Sequence, residues 1–109
     1  MELTREQVRE IVKMTIDELD QRGRLQPSYR DILSKVEGKL KRFFAGEKMH
    51  DVAAALTELS DDAYIDVIYL QYRDGKTLEW IAEALERDSR TITRNKKRLI
   101  IRLYELMDA

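Results

Sequence analysis

"TLEWIAEALERDSRTITRNKKRL", residues 77–99, holds two helical patterns with almost nothing between them. Leu78, Ile81, Ala82 and Leu85 recur at the spacing that places them on one face of a helix over 78–85, and Thr77 is a good N-cap for it. Asp88 is read as the cap of a second helix over 89–107, with Ile92 as its first core anchor. Two helices joined by so short a polar gap have no room to run antiparallel, so they are expected to cross steeply. Ala82 is small enough to let the second helix approach closely. Ser89, Arg90, Thr91, Thr93, Arg94, Lys97 and Arg98 then fall mostly on its outer side.

That outer side is strongly basic. Arg87, Arg90, Arg94, Lys96, Lys97, Arg98 and Arg102 lie within 87–102 against one anion, Asp88, although the whole chain carries a net charge of only −1. The rest of the chain is therefore net acidic. A basic patch on a near-neutral protein implies an anionic partner. The side chains suit a nucleic acid: Arg forks onto guanine in the major groove, Thr and Ser reach bases or phosphates, and a helix N-terminus favours a phosphate. The candidate DNA-binding residues are Arg87, Ser89, Arg90, Thr91, Thr93, Arg94, Lys97 and Arg98.

Toward the N-terminus the pattern stays helical. Thr4 and Gln7 form a capping-box pair, and Val8, Ile11, Val12, Ile16 and Leu19 mark a helix over 4–21, with Gly23 as its stop. Pro27 suits the first turn of a second helix whose face is Tyr29, Ile32, Leu33, Val36, Leu40, Phe43 and Phe44. "AGE" at 45–47 breaks it. Met49, Val52, Ala53, Leu56 and Leu59 mark a third helix. "SDD" at 60–62 offers the N-cap of a fourth, with Tyr64, Ile65, Ile68 and Tyr72 on one face. Asp74-Gly75 is a turn pair. No stretch reads as a strand. The expected fold is all-α: a helical N-terminal segment, 1–59, for packing or oligomerisation, then a helix-turn-helix domain, 60–109.

Several function classes lack residues. The 109-residue chain has no Cys and one His, so a thiolate metal site and a thiol nucleophile are excluded, and His50 has no His or Cys partner. Asp61-Asp62 reads more simply as capping than as a metal pair. No glycine-rich phosphate loop or nucleophile elbow is present. The expectation is a protein that is not an enzyme and needs no cofactor. No apolar run approaches a membrane span, and "MELTREQVRE" is charged from the start, so the expected location is the cytoplasm. Trp80 and the tyrosines Tyr64, Tyr69 and Tyr72 read as packing residues rather than base-stacking platforms.

The stretch "YLQYRDGKTLEWIAEALERDSRTITRNKKRLIIRL", residues 69–103, resembles region four of bacterial sigma factors. It is still more similar to the sigma-region-four-like domain of ArpU-type phage transcriptional regulators. The matching elements are Tyr72-Arg73-Asp74-Gly75, Thr77, Leu78, Ile81-Ala82, Leu85, Thr91-Ile92 and the basic tail, within 62–106. The resemblance implies a DNA-binding regulator of phage or mobile-element type, with RNA polymerase as a further partner. Two positions depart from it: Glu86 stands where the family has Gly, and Asp88 where it has Ser. Glu enters a left-handed turn less readily than Gly.

Two other functions fit the same residues. One is a small-terminase-like DNA-packaging adaptor, in which the N-terminal helices build a ring. The other is a protein-interaction module docking on RNA polymerase. "RLIIRLYELM" at 98–107 places more apolar residues around the last helix than one seam buries. They are expected to meet the N-terminal helices or a second subunit, and a homodimer would space two recognition helices about one DNA turn apart, roughly 34 Å.

Overall fold

The structure, a computed structural model, describes residues 27–108. The helix expected at 4–21 and its stop at Gly23 lie outside the described residues. Those described fold into helices, with no strand among them: α1 (Tyr29–Phe44), α2 (His50–Glu58), α3 (Ile65–Ile68), a π-helical segment (Tyr69–Arg73), α4 (Leu78–Ala84) and α5 (Ser89–Asp108).

Ser28, not Pro27, sets the start of α1. The Ser28 Oγ accepts the Asp31 N–H at 3.2 Å, and the Ser28 N–H donates back to the Asp31 carboxylate at 3.4 Å. This reciprocal box fixes Ser28 as the boundary, so Pro27 stands before the cap rather than in the first turn. Ala45-Gly46 ends the helix. The Gly46 N–H donates to the Phe43 carbonyl and the Glu47 N–H to that of Arg42, with Gly46 at φ 110°. These paired bonds satisfy the last free carbonyls of the helix.

The expected cap at 60–62 is also corrected. Asp62 accepts the Tyr64 N–H at 2.9 Å, two residues on, and α3 begins only at Ile65. Asp62 thus closes an Asx turn ahead of the helix. The single turn of α3 then widens into the π segment, where the Asp74 N–H reaches back five residues to the Tyr69 carbonyl.

α5 is the axis of the fold. Leu99, Ile100 and Leu103 are fully buried in a core shared with Val36 and Leu40 of α1, Val52, Ala55 and Leu56 of α2, and Ile65 and Ile68 of α3. The apolar excess of the last helix therefore meets α1, α2 and α3, with Tyr104, Leu106 and Met107 packed at the edge of that core. Adjacent Phe43 and Phe44 both pack against it by turning edge to face, 5.2 Å apart, and Phe44 meets Tyr69 in the same way at 5.7 Å. A second, smaller cluster of Val67, Ile81, Ala82 and Ile92 pins the first turns of α5 to α4.

The join between α4 and α5 keeps a left-handed turn despite its Glu. The Glu86 N–H donates to the Glu83 carbonyl and the Arg87 N–H to that of Ala82, with Glu86 at φ 55°. This is the same pairing that ends α1, here built without glycine. A side chain in this conformation costs about 1–2 kcal/mol, part of which glycine would give back through its freer unfolded chain. Glu86→Gly is therefore expected to stabilise the fold by about 0.5–1 kcal/mol, seen as a higher urea midpoint at unchanged slope. A lower midpoint would mean that Glu86 makes a contact worth more than its strain.

Candidate nucleic-acid interface

The first turns of α5 present the basic face. Ile92 is fully buried toward α4, which turns Ser89, Arg90, Thr93, Arg94 and Lys97 outward, where all five are exposed. Together they line one open hollow. At about 100° per residue they cover an arc of roughly 140°. Farther along α5, Ile100 and Tyr104 continue this face and α1 covers it, with Ile100 fully buried. The exposed cationic stretch is thus confined to the N-terminal half of the helix.

The basic block divides into cations paired with carboxylates of the fold and cations with no carboxylate partner among the described residues. The Lys96 ammonium lies 3.8 Å from the Glu37 carboxylate of α1 and 5.5 Å over the Tyr72 ring. Tyr72 donates its hydroxyl to the same carboxylate. Burial pushes the Tyr72 hydroxyl well above the usual tyrosine range, reinforced by its bond to Glu37. Burial lowers the Lys96 value, against the pull of Glu37. Arg102 pairs with Glu105 at 3.3 Å. Arg87, Arg90, Arg94 and Lys97 have no carboxylate partner among the described residues. Lys97 rests 4.8 Å over the Tyr29 ring, so the start of α1 borders the basic face.

Arg98 lies just beyond this arc. It donates to both oxygens of Asp62, at 2.7 and 2.9 Å, and through Nε to Asn95 at 3.2 Å. The fork-on-fork geometry straps the turn before α3 to α5. Thr91 lies on the same flank and is half-buried, its carbonyl accepting the Asn95 side-chain amide at 2.9 Å. Among the expected contact residues, the structure therefore groups Ser89, Arg90, Thr93, Arg94 and Lys97. Arg87 stands at the turn, beside Ala63, Tyr64 and Leu85. Asn95 was not among the expected residues. Its place four residues after Thr91 and three before Arg98 was the available signal.

No family model, no curated protein and no solved structure matches this chain.

Trp80 overturns the expectation of packing. It is 45% exposed, and the Lys76 ammonium lies 4.6 Å from its ring centre. α4 buries Ile81 and Ala82, and position 80 falls on the far side of so short a helix. Tyr64, Tyr69 and Tyr72 are partly buried against the core. His50 is exposed in the first turn of α2. Among the described residues, no group of three or more His, Asp or Glu is placed to hold a metal, and no helix is long and apolar enough to cross a membrane.

The Asp62–Arg98 strap gives a pH prediction. The Arg98 guanidinium holds the Asp62 carboxyl below its ordinary range. A depressed carboxylate contributes stability above its unfolded value, near 4, and loses it as pH falls through the folded value. Asp62→Asn is expected to cost about 1 kcal/mol at neutral pH. The gap should begin to shrink below about pH 4 and close only as the pH falls through the lowered folded value, where the wild-type carboxyl is also neutral. Urea unfolding of both proteins at neutral and acid pH checks this. A gap that persists in acid would contradict the electrostatic account.

Proposed function

We propose that this chain is a sequence-specific DNA-binding regulator of transcription. α4, the Glu86 turn and α5 act as a helix-turn-helix unit, with α5 as the recognition helix. The observation that carries the reading is the exposed, carboxylate-free cationic face of α5, Arg90, Arg94 and Lys97 with Ser89 and Thr93 between them. Such a face is matched to the major groove in both shape and donors. Arg90 and Arg94 reach base edges or phosphates, Lys97 and Arg87 contact the backbone, and Ser89 and Thr93 fill the short reach between. Arg98, expected as a direct contact, serves instead to tie α5 to Asp62, and Thr91 lies half-buried on the same flank.

The resemblance to region four of sigma factors and to ArpU-type regulators supports the same assignment, with a phage or mobile-element role and RNA polymerase nearby. The N-terminal helices then stabilise or pair the recognition unit rather than read DNA: residues 1–61 carry eleven cations and twelve anions, and so lack a field for a polyanion. The test is binding to duplex fragments from around the protein's own gene at near-physiological salt, together with subunit mass. Binding by a monomer or dimer that weakens steeply with salt supports the proposal. A many-subunit ring would favour packaging, and salt-insensitive or absent duplex binding would remove the DNA reading.

A further inference from the structure

The outer face of α4 is built unlike the outer face of α5. Glu79, Trp80, Glu83 and Ala84 are all exposed, on the side opposite the buried Ile81 and Ala82. Trp80, Glu83 and Ala84 line a small open hollow. Trp80 is the sole exposed large hydrophobic residue among those described. Neither Glu79 nor Glu83 has an ion-pair partner among the described residues. Lys76, 4.6 Å from the ring centre, shows that this ring accepts a cation.

We propose that this face is a docking site for a basic segment of another protein, one carrying arginine or lysine beside an apolar side chain. Charge complementarity selects the partner. Two unpaired carboxylates flank a flat apolar ring, so the matching surface brings a guanidinium or ammonium to the carboxylates and an aliphatic stem or a cation to the ring. The same carboxylates repel a polyanion, which separates this face from the cationic face of α5. An aromatic ring held in the open at the centre of a charged rim is also the usual composition of a protein-binding anchor. The site does not depend on the DNA reading: it rests on α4 alone.

The chain contains one tryptophan, so intrinsic fluorescence reports on this site directly. The probe is a short peptide of alternating arginine and leucine, titrated into the full chain, with duplex DNA titrated separately in its absence. The expected result is a saturable change in Trp80 emission. Glu79→Gln with Glu83→Gln should weaken the midpoint at least about five-fold, Glu58→Gln on α2 should leave it unchanged, and duplex without peptide should not alter the emission. The proposal is overturned if the peptide leaves the emission unchanged, or if Glu58→Gln weakens it as much as the paired α4 substitutions. It is equally overturned if duplex without peptide changes the emission, which would place the polyanion on this face, or if the emission follows protein concentration without peptide, which would place a second copy there. Loss of duplex binding with peptide binding intact would refute the proposed function and leave this site standing.

Discussion

Alanine at both Arg90 and Arg94 is expected to lower duplex affinity about thirty-fold or more at near-physiological salt. Both side chains are exposed on the first turns of α5 with no carboxylate partner among the described residues, and the one bond given to either, from Arg94 to the Thr91 hydroxyl at 3.5 Å, is long and exposed. A guanidinium contact to a base or phosphate is worth about 1–3 kcal/mol, and two lost at the lower end give about 2 kcal/mol. Where both meet phosphates, the slope of log affinity against log salt should fall by about 1.8. Stability should move by less than about 0.5 kcal/mol, because neither residue is packed. This separates loss of contact from loss of fold. Unchanged affinity and slope would show that the face is not the interface. By contrast, alanine at Arg98 should act mainly through stability, since that guanidinium is already spent on Asp62 and Asn95.

The second large effect belongs to Ile92. It is fully buried in a small cluster with Val67, Ile81 and Ala82, edged by the partly buried Tyr64, Leu70, Leu78 and Leu85. Truncation to alanine removes the anchor that seats α5 on α4 and opens a cavity, at a cost of about 2–5 kcal/mol. For a domain whose total stability is of order 5–15 kcal/mol, that is a large share. Ile92→Val should cost only about 0.5–1.5 kcal/mol and keep DNA affinity near that of the parent. Urea unfolding monitored by circular dichroism measures both. A loss below about 1 kcal/mol for Ile92→Ala would mean that the α4–α5 pairing is held elsewhere.

Much of this fold is written in apolar spacing. Leu78, Ile81, Ala82, Leu85 and Ile92 fix where α4 and α5 lie and which sides they bury, because a helix repeats its face every three to four residues. The faces of α1 and α2 follow in the same way from Val36, Leu40, Val52 and Leu56. Tertiary pairing leaves no such period. Arg98 and Lys96 belong to the same basic run as Arg90 and Arg94, yet their carboxylate partners, Asp62 and Glu37, lie 36 and 59 positions away. Charge density alone therefore overcounted the free cations. Trp80 was misplaced for a related reason. A large apolar side chain favours burial, but its position on α4 faces away from Ile81, and position decides. The widening of α3 into the π segment has no signature in periodicity, since Ile65, Ile68 and Tyr72 also fit a regular helix. The turn at Glu86 shows packing overriding local preference: the buried pair Ala82 and Ile92 holds a left-handed residue that glycine would adopt freely.

The central claim is that the N-terminal half of α5 meets DNA. Backbone amide shifts of the full chain, recorded while a bound duplex fragment is titrated in, test it residue by residue. The account predicts that the largest changes fall within residues 87–97 and that those of α2, His50–Glu58, stay small. Changes concentrated on α2 or on the outer face of α4, with residues 87–97 unmoved, would contradict it.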